Sequence, residues 1–362
     1  MPLILPGNVA SATAATGYDV ANSCRFNDDD SAYLSRTQSS GSTTKFTYSA
    51  WMKRGKLSDA QDFLDVYDDN DNRFGFFWSS EYHIDMYNKI GGSLNFNKIT
   101  TAVYRDPSAW YNVIIAADTT LSTAEDRVKL WVNGVRVTSF GTNTIPDEDG
   151  TFSIHSSDDT QKIGAYGTSG SDYDGYMAEV FWIDGTAYAN TDFGEFDSDS
   201  PTIWKPKDCK DDLTFGTNGF YLPFSNSGAL GDDESGNSND FSVTNLAATD
   251  QTTDTPTNNF AVLNRLAWTT GSGLTFSEGN LKVANSASDW RPVISTIPVT
   301  TGKWYCEIKC TAVGSGGQYG VTPITDYNDP GDLAYNIGDQ ARTFVYINDG
   351  NKENNGSAAS YG

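Results

Sequence analysis

The densest carboxylate set with strand-like spacing is Glu195-Phe196-Asp197-Ser198-Asp199-Ser200. In an extended chain residues 195, 197 and 199 fall on one face, and two carboxylates at a controlled separation are what glycoside hydrolysis requires. The flanks argue against a strand: Gly194 precedes the run and Ser200-Pro201 closes it, which marks a loop. No tryptophan adjoins it as a sugar platform. A second run, Asp65-Val66-Tyr67-Asp68-Asp69-Asn70-Asp71-Asn72, packs side-chain oxygens as a calcium loop does. Asp65, Asp68, Asp69 and Asp71 are its candidate ligands, and calcium is the one cofactor the chain suggests. The EF-hand spacing is missing, because Gly is not sixth nor Glu twelfth, and a plain hairpin loop between Phe63-Leu64 and Phe74-Gly75-Phe76-Phe77 is the competing reading. His83 and His155 are the two histidines. Neither lies near a Gly-x-Ser-x-Gly elbow, so both read as surface or edge residues and a nucleophilic triad has no support. Gly314-Ser315-Gly316-Gly317 lacks the lysine and helix of a phosphate loop. The chain is therefore expected to be non-catalytic. Sugar recognition would need aromatics exposed beside amides and carboxylates. Trp78, Tyr82 and Tyr87 lie near Asp85 and Asn88, and Tyr166 and Tyr173 near Asp172. These five are the ligand-binding candidates, each competing with a place in the core, which takes roughly half the aromatics of such a domain.

The elements that would carry these residues are strands. Phe46 to Lys53 alternates, Trp110 to Ala117 is nearly continuously apolar, and Arg127-Val128-Lys129-Leu130-Trp131-Val132 runs into Asn133-Gly134. Asn-Gly supplies the two positive φ angles of a type I′ turn, so Val128, Leu130 and Val132 should pair with Val135 and Val137. Tyr176 to Trp182 is a further apolar strand, ended by Ile183-Asp184-Gly185, and helical periodicity is limited to a turn around Asn190 to Phe193. Residues 1–22 are small, polar and turn-forming and read as an arm that needs a partner to become ordered.

A net charge of −23 repels phosphate backbones and anionic bilayers, which excludes nucleic-acid binding. No apolar stretch approaches the ~20 residues that span a membrane, and the proline-broken N-terminus lacks the basic region of a signal peptide. Cys24, Cys209, Cys306 and Cys310 form no Cys-x-x-Cys pair. In the strand-like run Trp304 to Cys310 the last two would stand about 13 Å apart, beyond disulfide reach. All four are expected to be free, buried thiols.

The ordered set Cys24-Arg25-Phe26-Asn27, Ala32-Tyr33-Leu34, Phe46 to Lys53, Trp110-Tyr111-Asn112-Val113, Val128 to Gly134, Lys162-Ile163-Gly164 and Tyr173-Asp174-Gly175-Tyr176-Met177-Ala178-Glu179-Val180 resembles the laminin-G or concanavalin A-like jelly roll over residues 23–225. The resemblance implies an all-β, antiparallel jelly-roll sandwich, and it raises the expectation of calcium at one rim. The glucanase pattern of that fold, Glu-x-Asp-x-x-Glu, fails at Ser200. Residues 226–264, Gly/Ser/Asn/Asp-rich and punctuated by Pro256, resemble a connector of tailed-phage virion proteins, marine ones especially. Residues 265–362, with Gly302-Lys303-Trp304-Tyr305-x-Glu307 and Tyr319-Gly320-Val321, resemble the opening half of a SPRY-like β-sandwich, as though truncated. These resemblances imply a structural phage virion protein, a tail fibre, adhesin or capsid-decorating protein that mediates host attachment. Its partners would be other virion proteins through residues 1–22, a host-surface glycan, and further copies of itself in a homo-oligomer taken as a trimer; its location would be the virion, with no nucleic acid and no membrane insertion. The alternative is a cellular carbohydrate-binding lectin, with a glucanase a weaker third.

Overall fold

The computed structural model describes residues 17–156, 158–167, 170–267, 273–286, 290–312, 317–323 and 342–361. The described chain is all-β, with short 3-10 turns and no α-helix among those residues. In chain order the strands of the first unit are Ser23–Phe26 (β1), Tyr33–Thr37 (β2), Lys45–Arg54 (β3), Gln61–Tyr67 (β4), Arg73–Trp78 (β5), Ile84–Ile90 (β6), Ser93–Thr100 (β7), Trp110–Asp118 (β8), Val128–Val132 (β9), Val135–Val137 (β10), Phe140–Thr144 (β11), Thr160–Ile163 (β12), Gly175–Asp184 (β13), Gly194–Phe196 (β14), Trp204–Pro206 (β15), Phe220–Leu222 (β16), Ser242–Thr244 (β17) and Gln251–Thr252 (β18).

They form a jelly-roll sandwich of two antiparallel sheets. The first runs β10-β9-β8-β3-β13-β1-β18, with β16 also on β13; the second runs β11-β7-β6-β5-β4-β12-β2-β17. Alternation decides which side chains meet between them. Phe46 stacks on Trp182 at 5.0 Å between ring centres and meets Phe74 and Phe152 edge-on at 5.2 Å. Each such ring, removed fully from water, contributes ~1.5–3 kcal/mol. β3 and β13 are buried on both faces, because a second apolar cluster of Trp51, Trp110, Ile114, Trp131, Phe181 and Trp204 covers the outer side of the first sheet. The second sheet keeps a partly open outer face, where half-buried residues alternate with core residues.

The Asn133-Gly134 expectation holds in detail. Val135 pairs with Val132 and Val137 with Leu130, and the two turn residues have φ of 48° and 75°. Gly175, at φ 146°, lies where a Cβ would sit 2.2 Å from the Lys53 carbonyl, so that close approach admits no larger residue.

Three expectations need correction. Residues 226–264 are not a connector: β17 extends the second sheet beside β2, and β18 extends the first beside β1. The compact unit runs to Phe260 and includes Ser277–Leu281. A buried charge network ties down the end of this segment: the Lys53 ammonium donates to Asp254 at 2.8 Å, to the Asn259 side chain at 2.8 Å and to the Phe260 carbonyl at 2.7 Å. The arm of residues 1–22 lies outside the described residues up to 16; residues 17–22 belong to the sandwich, with Val20 buried and the Tyr18 hydroxyl donating to Glu179 at 3.0 Å. Of the thiols, Cys24 and Cys209 are buried, whereas Cys306 and Cys310 are exposed.

The second unit, Ala261–Phe276 with Lys282–Gly362, holds most of a hairpin of Leu274–Ser277 (β19) and Lys282–Asn285 (β20), whose Ser277 and turn are counted with the first unit, and a meander of Gln318–Val321 (β21), Phe344–Ile347 (β22), Asn351–Asn354 (β23) and Ser357–Ser360 (β24). The strand expected over Trp304 to Cys310 is not formed. Among the described residues that stretch has no ladder partner, and Tyr305 is 84% exposed.

Candidate functional site

The open face of the second sheet gathers polar and aromatic side chains in cross-strand rows. One row reads Ser35, Lys162, Asp65, Gly75, Tyr87, Asn97 across β2, β12, β4, β5, β6 and β7. Beside it run Thr160, Tyr67, Arg73, Lys89 on one side and Asp62, Phe77, Asp85, Ile99 on the other. Asp62 and Asp65 are three apart and would oppose each other in a regular strand. A bulge between Asp62 and Leu64 shifts the alternation, so Phe63 and Leu64 both enter the core and both carboxylates join the outer face.

Gly75 makes the centre possible. A Cβ there would stand 2.9 Å from the Tyr87 hydroxyl and 3.0 Å from Asp65 Oδ1; without it the Tyr87 hydroxyl crosses β5 and donates to Asp65 at 3.1 Å. The Arg73 guanidinium lies between two rings, 5.4 Å from Tyr87 and 5.3 Å from Tyr166, and Tyr166 meets Tyr67 edge-on at 6.2 Å. The Lys162 ammonium donates to the Gly167 and Tyr166 carbonyls at 2.9 and 3.3 Å and sits 4.6 Å over Tyr33. Tyr33, Tyr67, Phe77, Tyr87 and Tyr166 are all half-buried, so part of each ring faces solvent.

The carboxylates are electrostatically primed. Burial pushes the Asp65 carboxyl up to about 7, against the opposing pull of the Tyr87 hydroxyl, Arg73 and the Gly167 amide. Burial also raises Asp62, with Asp65 adding to it, and lifts Asp85 to about 6. Asp65 Oδ2, Asp85 Oδ1 and Arg73 Nε are buried with no hydrogen-bond partner of good geometry.

The structure keeps some expected site residues and displaces others. Tyr87 and Tyr166 belong to this face. Trp78 and Tyr173 do not: both are fully buried, Trp78 against Phe63, Tyr104 and Tyr111, and Tyr173 against Phe26 with its hydroxyl on the Lys53 and Tyr176 carbonyls. Trp78 shares strand parity with the core residues Phe74 and Phe76, which is the signal that places it inside. Tyr82 sits in the turn after β5, at φ 73°. Phe77, Tyr67, Tyr33, Asp62, Arg73 and Lys162 were not singled out from sequence; Phe-Gly-Phe at 74–76 is the local sign of a close approach.

The proposed calcium ligands do not fit a metal site. Asp65 turns to Tyr87 on the open face, Asp69 accepts from the Asp71 and Asn72 amides at 2.7 Å, and Asp71 pairs with Lys89 at 3.3 Å. Asp69 serves as a turn cap. Among the described residues no three acidic, histidine or cysteine side chains gather closely enough to hold a metal ion. Glu195 is exposed and bridges to Lys205 at 3.3 Å, while Asp197 caps the Asp199 and Ser200 amides at 2.9 Å. Trp204 does lie beside this run, across from Phe196, but is buried beneath Gly134 and Gly194 and offers no platform. His155 is buried rather than at the surface: it accepts from Trp182 Nε1 at 2.8 Å and lies 3.3 Å from Asp184.

A family model described as the concanavalin A-like lectin/glucanases superfamily, of the laminin-G type, matches residues 26–188. No curated protein matches the chain. Similar solved structures include a pentraxin from Limulus polyphemus (13% identity, covering 48% of this chain and 80% of that one, TM-score 0.36). A putative carbohydrate-binding protein from Bacteroides ovatus is 14% identical over 63% of this chain and 58% of that one, at TM-score 0.39. Domains LG4-5 of the mouse laminin α1 chain are 11% identical over 57% and 48%, at 0.33. The first unit has a jelly-roll fold of the laminin-G and concanavalin A type, with the family match covering its residues 26–188.

Proposed function

We propose that this lectin-like jelly roll binds carbohydrate on the open face of its second sheet, around Asp65, Arg73, Tyr87 and Tyr166. One observation carries the reading: the half-exposed rings of Tyr33, Tyr67, Phe77, Tyr87 and Tyr166 share one sheet face with the partly exposed Arg73 and Lys162. Sugars present C–H faces to rings and hydroxyls to charged side chains, so both halves of the surface have a use. The binding is read as non-catalytic, because the Glu195 group, the one run with glycosidase-like carboxylate spacing, is committed to Lys205 and to a turn. A glycan array probed with the intact protein and with Tyr87→Ala tests it. Retention of defined glycans by the first and their loss by the second is expected; an array without binders, or equal retention by both, sinks the proposal.

A role in host attachment on a tailed-phage virion is a wider reading that rests on sequence resemblance at residues 226–264. Its support is reduced by the folding of that segment into the sandwich. Detection of the protein in purified particles would favour it, and absence from them would end it.

A further inference from the structure

Away from the Asp65 face, between β7, β10 and β11 and the 3-10 turn at Ala124–Asp126, lies a cavity of about 200 Å³. Its polar lining includes Lys98, Glu125, Arg136, Thr138 and Asn143, and its apolar wall includes Val137 and Phe140. Lys98 is the unusual member. Its side chain is 2% exposed, its ammonium lies 4.5 Å over the Phe140 ring, and its carboxylate partner is Glu125 at 3.4 Å. An ammonium has three donors, and a long pair to a side chain that is itself 60% exposed is a weak use of a buried charge. Burial accordingly depresses the proton affinity of Lys98 below that of a free lysine. Glu125 is held in place by the Asn143 amide at 3.0 Å, and Arg136 reaches the Glu125 carbonyl at 2.9 Å and Asp126 at 3.2 Å.

We propose that this cavity binds a small organic carboxylate, with Glu125 occupying the anion's place until the ligand displaces it. The cavity lies below the ~300 Å³ of drug-sized sites, which restricts the occupant to a single ring. Lys98 supplies the cation for a carboxylate and Arg136, while keeping its pair to Asp126 at 3.2 Å, further N–H donors; Asn143 remains for a hydroxyl, and Val137 faces a ring's C–H surface. A uronic acid monosaccharide has this chemistry. The chain's overall negative charge is no obstacle at physiological salt, where fields fade over ~8 Å.

Calorimetric titration of the intact protein with glucuronate, glucose and acetate decides the matter. Glucuronate is expected to bind, acetate to bind more weakly and glucose not at all. Glu125→Gln removes the internal competitor and should tighten glucuronate several-fold, while Lys98→Met should weaken it at least about tenfold. Should Lys98→Met fail to fold, Arg136→Gln, a change at a half-exposed side chain, takes its place with the same sign. A glucuronate isotherm absent from both the native protein and Glu125→Gln, equal binding of glucose, or no gain in Glu125→Gln would each overturn the assignment.

Discussion

Replacing Asp65 with asparagine should make the protein more stable in mildly alkaline solution, against the usual expectation for a buried polar residue. The folded carboxyl is held near 7, about three pH units above its ordinary value, chiefly by burial. The folded state therefore holds a proton that the unfolded chain has released. Stability from this group is fully present below pH ~4 and declines as pH rises to ~7, at about 1.4 kcal/mol per pH unit, with a ceiling of about 4 kcal/mol. Asparagine has no proton to lose, keeps an oxygen for the Tyr87 hydroxyl and places an amide where the neutral acid carries its O–H. Urea unfolding at pH 5, 6, 7 and 8 should give curves that nearly coincide at the acid end and diverge by up to ~4 kcal/mol at pH 8, the variant being the more stable. Tyr87→Phe removes the donor that opposes burial, so its decline in stability should extend to higher pH. Identical pH slopes for Asp65→Asn and the native protein would refute the claim that Asp65 is protonated in the folded state near neutrality.

Three further outcomes are expected. Lys53→Met leaves Asp254 buried without its cation, at a cost of ~3–5 kcal/mol in urea unfolding, and should open residues 251–260 to limited proteolysis. Asn133→Ala places a Cβ-bearing residue without a compensating side chain at φ 48° and removes the acceptor of the Asn112 amide at 2.8 Å; it should cost ~1–2 kcal/mol, with Asn133→Gly close to neutral on the backbone part. Trp78→Ala should cost ~3–5 kcal/mol as a cavity in the core while glycan retention per folded molecule stays unchanged, which separates its structural role from that of Tyr87.

What was legible in the sequence follows the range of the interaction. Asn133-Gly134 declares its turn within two residues, and Tyr176 to Trp182 declares a strand by its apolar run, whereas the alternation of Phe46 to Lys53 declares a strand without showing that its second face is covered too. The Asp65 site depends on an irregularity that local pattern hides: the bulge that turns Asp62 to the same side as Asp65, and a glycine on the next strand through which Tyr87 reaches across. The stretch after residue 225 has the composition of a linker, but its polar side chains are spent on backbone. Asp233 accepts from the amides of Tyr221, Ser235 and Asn239, and Asn237 and Asn239 both donate to the Gly219 carbonyl. Composition cannot separate an amide that faces water from one that replaces a strand's hydrogen bonds.

The closure of the sandwich by β17 and β18 bears on the birth of the molecule. Its first strands are completed by nearly its last: the Ser23 hydroxyl donates to the carbonyl of Asp254, 231 residues away, and Cys24 pairs with Gln251 in the ladder. A ribosome must therefore deliver almost the whole first unit before β1 and β2 gain their outer neighbours. Contacts this distant in sequence slow folding, and until they form both sheets present bare edges to other nascent chains.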